Sequence, residues 1–170
     1  GDFLYINDDA FMARPMPEID AFIEMYSDIR VPFWMQTRFE DIRDEEQLAR
    51  LKEVGLYRIS FGLEHGNEEF RKKKLLRNIS NEDMIKKSKI VERVGVPYSI
   101  NVIIGMPYET RELVFETIAL NREFVKNGPG RGSGVDFSNN LRCACFENRC
   151  LYITKELYAS GSYSDQVTYP

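Results

Sequence analysis

The chain has 170 residues, 43% of them hydrophobic and 29% charged, and a net charge of −4. These values suit a soluble globular domain, or a large part of one. They give no general pull toward nucleic acid or an anionic membrane, and no apolar run approaches the ~18 residues of a membrane helix.

Phe3 to Asn7 predicts a short buried strand, and the chain opens abruptly just upstream of it, with no signal-peptide pattern. Pro17 then starts a helix whose Ile19, Phe22, Ile23 and Tyr26 fall on one face. Val31 to Thr37 is a second strand. Asp44 and Gln47 form a capping box for a helix with Leu48, Leu51 and Val54 as its buried stripe, closed by Gly55. Tyr57 to Leu63 alternates as a third strand, and Glu68 to Leu75 is helical. The basic run Arg71-Lys72-Lys73-Lys74 sits among acids and reads as a solvated helix face. Ser80 and Asp83 cap a helix carrying Met84, Ile85, Ser88 and Val91 that ends at Gly95. Tyr98 to Ile104 is a fourth strand, followed by a helix capped by Thr110. Beyond Asn127 the pattern fades, with Val135-Asp136-Phe137 as a candidate fifth strand and an irregular segment after it.

Repeated strand–helix units imply a parallel sheet with right-handed crossovers. The expected fold is α/β, a partial (βα) barrel over residues 1–137 followed by a divergent or irregular segment over 138–170, with a doubly wound sheet as the alternative. In either fold ligands gather at the C-terminal ends of the strands. The residues to weigh are therefore Asn7-Asp8-Asp9, Gln36-Thr37-Arg38, Glu64-His65-Gly66 and Gly105-Met106-Pro107.

Asp8 and Asp9 fit three roles: accepting from a ligand ammonium, binding a divalent ion, or capping the turn. Glu64 fits a pair of ribose hydroxyls or a plain surface carboxylate. His65 is the sole histidine and reads as a packing or hydrogen-bonding residue. Arg77, just ahead of a helix cap, suits a carboxylate or is a loop arginine. Asn101, among apolar neighbours, needs partners and either braces the sheet or faces a polar ligand. Gly105 leaves room for a flat ring against the main chain or makes a tight turn, and Pro107 fixes its exit. Cys143, Cys145 and Cys150, spaced C-x-C-x4-C, lack the paired spacing of a zinc site and form no disulfide framework; an intracellular, cytoplasmic chain is favoured.

Taken in order, NDDAF, PFWMQTRFE, ISFGLEHGNEEF, LLRNIS and INVIIGMPYETRE resemble the radical S-adenosylmethionine superfamily, most of all its branch with an N-terminal cobalamin-binding domain, over roughly residues 3 to 126. The resemblance implies a partial βα barrel. It also implies a 4Fe–4S cluster on a C-x3-C-x2-C loop after the first strand, and an electron donor such as flavodoxin or ferredoxin. The cluster reductively cleaves S-adenosylmethionine, and the 5′-deoxyadenosyl radical abstracts a substrate hydrogen. Cobalamin and methyl transfer are implied for that branch only. Carried over, Asp8 or Asp9 accepts from the methionine ammonium. Glu64 holds the ribose with help from Asn101, and Arg77 pairs with the methionine carboxylate. Gly105, Met106 and Pro107 line adenine, while Gln36 and Arg38 face substrate or cofactor. The cluster loop, and any cobalamin domain, is expected upstream of Gly1, because no C-x3-C-x2-C occurs in the sequence.

Two other readings stand beside this one. In the first, a βα-barrel lyase or hydrolase uses Asp8, Asp9 and Glu64 as magnesium or manganese ligands. In the second, a non-catalytic module binds only a nucleotide or a partner. Cluster assembly needs preorganised thiolates, so the 170-residue chain alone is expected to hold no site-specific cluster after anaerobic reconstitution. A 4Fe–4S electron paramagnetic resonance signal that survives replacement of Cys143, Cys145 and Cys150 would refute this.

Overall fold

The structure is a computed structural model. It describes residues 3–126 and 141–143, with the backbone alone for 125–126 and 141–143. Five strands, β1 (Leu4–Ile6), β2 (Phe33–Thr37), β3 (Leu56–Glu64), β4 (Tyr98–Ile104) and β5 (Leu141–Cys143), form one sheet in the order β1-β2-β3-β4-β5. All four pairings are parallel. The helices are α1 (Met16–Tyr26), α2 (Glu45–Glu53), α3 (Glu68–Lys74), α4 (Asn81–Val94) and α5 (Arg111–Lys126).

Local sequence chemistry places these elements. Asp44 accepts from the Gln47 N–H at 2.7 Å, Asn67 from that of Phe70 at 2.8 Å, and Ser80 from that of Asp83 at 3.0 Å. Each such cap contributes about 1 kcal/mol. Gly95 ends α4 in the left-handed region, with φ 74°, where a side chain would be strained.

The strand order decides the architecture. When parallel neighbours follow one another in sequence, right-handed crossovers all carry their helices to the same face. A doubly wound sheet needs a reversal of order to cover both faces, and none occurs among the described strands. The fold is thus a partial (βα) barrel.

Alternation along the strands then splits the side chains. Phe33 and Met35, Ile59, Phe61 and Leu63, and Tyr98, Ile100 and Val102 are buried in one core with Ile19 and Ile23 of α1, Leu48 and Leu51 of α2, Met84 and Val91 of α4, and Leu120 and Phe124 of α5. Aromatic packing ties the layers together: Phe33 lies edge-on to Phe22 and Tyr26, while Phe39 stacks on both Phe61 and Phe124. The opposite face carries Tyr5, Trp34, Gln36, Arg58, Ser60, Ser99 and Asn101. Their contacts run across the strands. The Tyr5 ring meets Trp34 at 5.4 Å, Arg58 lies over Trp34 at 5.6 Å, and the Gln36 amide donates to the Tyr5 hydroxyl. A parallel sheet covered on both faces reads as continuous apolar strands; this one is polar on the face that none of the described helices covers.

Two expectations need correction. β1 is exposed, not buried: Phe3, Leu4 and Tyr5 keep 51%, 48% and 45% of their surface, because among the described strands it pairs with β2 alone. Arg71 is not part of a solvated face; it is fully buried and donates to the carbonyls of His65 and Ile79 and to the Asn81 side chain. Only Lys72, Lys73 and Lys74 of that run are exposed. β5 lies at Leu141–Cys143; the candidate strand Val135-Asp136-Phe137 lies outside the described residues, as do Cys145 and Cys150. Two 3-10 turns, Phe11–Ala13 and Phe39–Asp41, were not legible as elements, and they bury Phe11, Met12 and Phe39.

Candidate functional site

The C-terminal end of β3 is the centre of the polar cluster. The register against β4 shifts between Gly62 and Glu64, and Glu64 takes a positive φ of 66°. That local kink sends its carboxylate back along the strand. A Cβ built on Gly62 would stand 2.3 Å from Glu64 Oε1 and 4.0 Å from Arg77 Nη1. Gly62 therefore leaves the space that the carboxylate fills, the usual meaning of a glycine within a strand.

Asn101 pairs with Gly62 in the register and donates to Ser60 Oγ at 2.9 Å; Ser99 reaches the same oxygen at 3.3 Å. Arg77 arrives from the loop after α3. Its Nη1 donates to the Gly62 carbonyl at 2.8 Å, and its Nε and Nη2 grip both oxygens of Glu40 at 2.8 and 2.7 Å. Glu64, Arg77 and Asn101, singled out from sequence on separate grounds, thus meet around one glycine.

The turn after β4 is organised differently. Gly105 has φ 88°, so the backbone alone requires glycine here. Glu109 folds over the turn, and its Oε2 accepts from the N–H groups of Gly105 at 2.5 Å and Met106 at 3.2 Å. With those donors committed and the Met106 carbonyl accepting from the Glu109 N–H at 3.0 Å, exposed Gly105 and Pro107 offer a ligand their carbonyl oxygens and flat main chain. Behind it the His65–Asn67 loop is clamped. The Gly66 N–H donates to Thr117 Oγ1 at 2.8 Å, and Asn81 donates to the Gly66 carbonyl at 3.0 Å. A Cβ on Gly66 would sit 2.3 Å from the Thr117 Cα, so α5 packs directly on that loop.

The other sequence candidates lie apart from this group. Asp8 accepts from the Ala10 N–H at 3.4 Å and is ion-paired with Arg14, two strands from β3 in the sheet order. Asp9 is exposed. Gln36 is engaged by Tyr5 on the polar face, and Arg38 pairs with Asp41 at 3.1 Å. His65 is fully buried, as a packing and hydrogen-bonding residue should be. Among the described residues, no three His, Cys, Asp or Glu side chains converge as a metal site. The divalent-ion reading of Asp8, Asp9 and Glu64 is set aside, since Asp8 is spent on Arg14 and Glu64 lies over Gly62.

Sequence reasoning missed Glu40, Gly62, Ser60, Ser99 and Glu109. Two of them left a usable signal. A glycine two residues before a strand-end acid marks a close approach, and a strand followed by a glycine turn has orphan N–H groups that the next acid, Glu109, is placed to accept. Strain gathers at the same end of the barrel. Of the four described non-glycine residues with positive φ, Glu64, Leu76 and Tyr108 belong to it, as strained residues in ligand clamps often do.

The Arg77–Glu40 clasp has a pH signature. Burial pushes the Glu40 carboxyl up, but the Arg77 hydrogen bond, a backbone hydrogen bond and the Arg77 and Arg38 charges outweigh it and hold the pKa below the ordinary 4.5. A lowered folded pKa contributes stability that is present at neutral pH and lost as pH falls through the folded value. Urea unfolding should find Glu40→Gln less stable than wild type at pH 7, with the gap closing as pH drops below 4.5. A gap that persists or widens in acid would contradict this assignment.

Comparison with known proteins follows the same line. The family model described as the Radical SAM superfamily matches residues 13–120. No curated protein matches the chain. Among solved structures, coproporphyrinogen III oxidase (HemN) from Escherichia coli, described as a radical SAM enzyme, is similar at TM-score 0.63 and 16% identity over 72% of this chain. The radical S-adenosylmethionine methyltransferase TsrM from Kitasatospora setae, with cobalamin and a [4Fe-4S] cluster bound, is similar at TM-score 0.61 and 16% identity, also over 72%. The cobalamin-dependent S-adenosylmethionine radical enzyme OxsB is similar at 0.58 and 17% over 70%. The chain spans only 29%, 24% and 19% of those three proteins, and at such identities they show the fold. With more than half of its length matched by the family model, the chain belongs to the radical S-adenosylmethionine superfamily.

Proposed function

We propose that this chain forms the S-adenosylmethionine-binding part of a radical enzyme. The observation that carries the proposal is the meeting of Glu64, Arg77 and Asn101 around Gly62, one strand from the exposed Gly105–Pro107 turn. Glu64 is placed to accept from the two ribose hydroxyls, since a carboxylate takes several hydrogen bonds at once. Asn101 spends one amide N–H on Ser60 and retains its carbonyl and second donor for the ribose. The carbonyls of Gly105 and Pro107, which flank the engaged Met106 carbonyl, suit the exocyclic amine of adenine.

Two sequence assignments change weight in this reading. Arg77 already spends a two-bond, charge-assisted grip on Glu40 and a third donor on the Gly62 carbonyl, which leaves two of its five N–H groups for a methionine carboxylate. Its role here is to hold Gly62 and the end of β3 in place. Asp9, exposed beside an Asp8 already paired with Arg14, is the better acceptor for the methionine ammonium. Gln36 and Arg38 remain candidates for substrate contact.

The residues present do not fit the iron–sulfur cluster. The three cysteines have the wrong spacing, and no described group of ligands could hold it. S-adenosylmethionine, when bound and reduced, would supply the 5′-deoxyadenosyl radical, and no chemical step is assigned to this chain alone. For the whole enzyme we propose a cytoplasmic protein served by a flavodoxin- or ferredoxin-type donor. It abstracts hydrogen from, or methylates, a substrate the chain does not reveal. The cobalamin in two of the similar structures favours cobalamin use.

Isothermal titration of the intact protein with S-adenosylmethionine tests the reading. Binding is expected, and Glu64→Ala should weaken it by about tenfold or more, the scale of one charge-assisted hydrogen bond. Asp28→Ala, in the turn just beyond the C-terminal end of α1, should leave it unchanged. No binding by wild type, or equal loss in both variants, would overturn the proposal.

A further inference from the structure

Glu109 and His65 form a buried pair behind the Gly105 turn that the cofactor-binding assignments do not use. The His65 ring has no exposed surface, and the Glu109 side chain keeps only 3% of its own. Three neighbours fix the ring. The Asn67 N–H donates to Nδ1 at 3.0 Å, Phe70 stacks on it with centroids 4.2 Å apart, and Arg71 donates to the His65 carbonyl. Because Nδ1 is an acceptor, the neutral ring carries its proton on Nε2. That nitrogen lies 3.1 Å from Glu109 Oε1. The two atoms are within reach but poorly aligned, and neither has another hydrogen-bond partner. Glu109 Oε2, meanwhile, holds the Gly105 and Met106 N–H groups.

We propose that His65 is a positioning residue for the nucleotide turn, acting through Glu109. One carboxylate bridges two jobs. Its Oε2 shapes the Gly105–Met106 main chain, and its Oε1 is aimed by a ring that β3 and α3 hold rigid. A buried donor and acceptor left unaligned are costly, and hydrogen bonds at ligand sites often tighten only when ligand arrives. Settling of the turn onto a nucleotide base brings Nε2–H and Oε1 into line, so base binding and the latch strengthen each other. The turn is thereby coupled to the β3 loop that also carries Glu64. The nucleotide half of this inference rests on the proposed function; the latch itself does not.

Amide hydrogen exchange on the intact protein, read for the Gly105 and Met106 amides with and without S-adenosylhomocysteine as probe, separates the two. His65→Phe keeps the ring volume and the stack on Phe70 but removes the donor. It should speed exchange at these two amides by about tenfold, and weaken nucleotide binding to match, the scale of one buried hydrogen bond. His65→Gln, which returns an N–H near Nε2, should restore both. Should His65→Phe fold poorly, Glu109→Asp, one methylene too short to bridge both sites, should speed exchange at the same amides while distant amides keep wild-type rates. Wild-type exchange in His65→Phe or Glu109→Asp, or no rescue by glutamine, would overturn the latch. Intact latch behaviour in a protein with no affinity for the probe would instead sink the nucleotide reading of the turn and leave the latch standing.

Discussion

A parallel sheet whose strands follow one another in chain order must send every right-handed crossover to the same side. The rest of this molecule depends on that constraint. Helices α1, α2, α4 and α5 crowd one face, where Phe33, Phe61 and Tyr98 complete the core. The other face is relieved of any need to be apolar, and Gln36, Ser60, Ser99 and Asn101 occupy it. The same rule puts every strand's C-terminal end at one rim, so loops far apart in sequence become neighbours.

What the rim can do is set by a few close approaches. Gly62 lacks the side chain that would collide with Glu64, and this lets a carboxylate lie against the end of its own strand. Arg77 then ties that strand to Glu40, beyond β2. Buried Arg71 ties the β3 loop to the start of α4. Such charge-assisted bonds in a half-buried setting are stronger than exposed ion pairs. Glu109 shapes the exposed main chain at Gly105, so the β3 end of the rim is set before any ligand arrives and the turn has only to settle onto it.

Much of this was legible from the residues. The alternation of β3 and β4, the caps at Asp44 and Ser80, and the stop at Gly95 are local codes, and each was read where it stands. Glu64, Arg77 and Asn101 were singled out on separate grounds, an acid closing a strand, an arginine ahead of a helix cap and an amide among apolar neighbours, and each kept a plain structural alternative. Their mutual contact was not readable, since it runs through Gly62 and Glu40, a glycine and a surface-like acid. Arg71 deceived because three lysines follow it, and charge patterning cannot tell which member of a basic run turns inward to satisfy carbonyls. β1 deceived because an apolar run signals burial only where another element packs on it, and among the described strands it meets β2 alone. Glu109 hid within a polar helix start, where an acid is expected for helix-dipole reasons alone.

The central claim is that the polar face and its rim form a single nucleotide site. A crystal structure of the protein with S-adenosylhomocysteine bound tests it most directly. The account predicts the ribose on Glu64, the adenine against Gly105–Pro107, and Asn101 within hydrogen-bond reach of the sugar. A ligand seated on the helical face, or at the rim of β1 with none of these residues in contact, would contradict it.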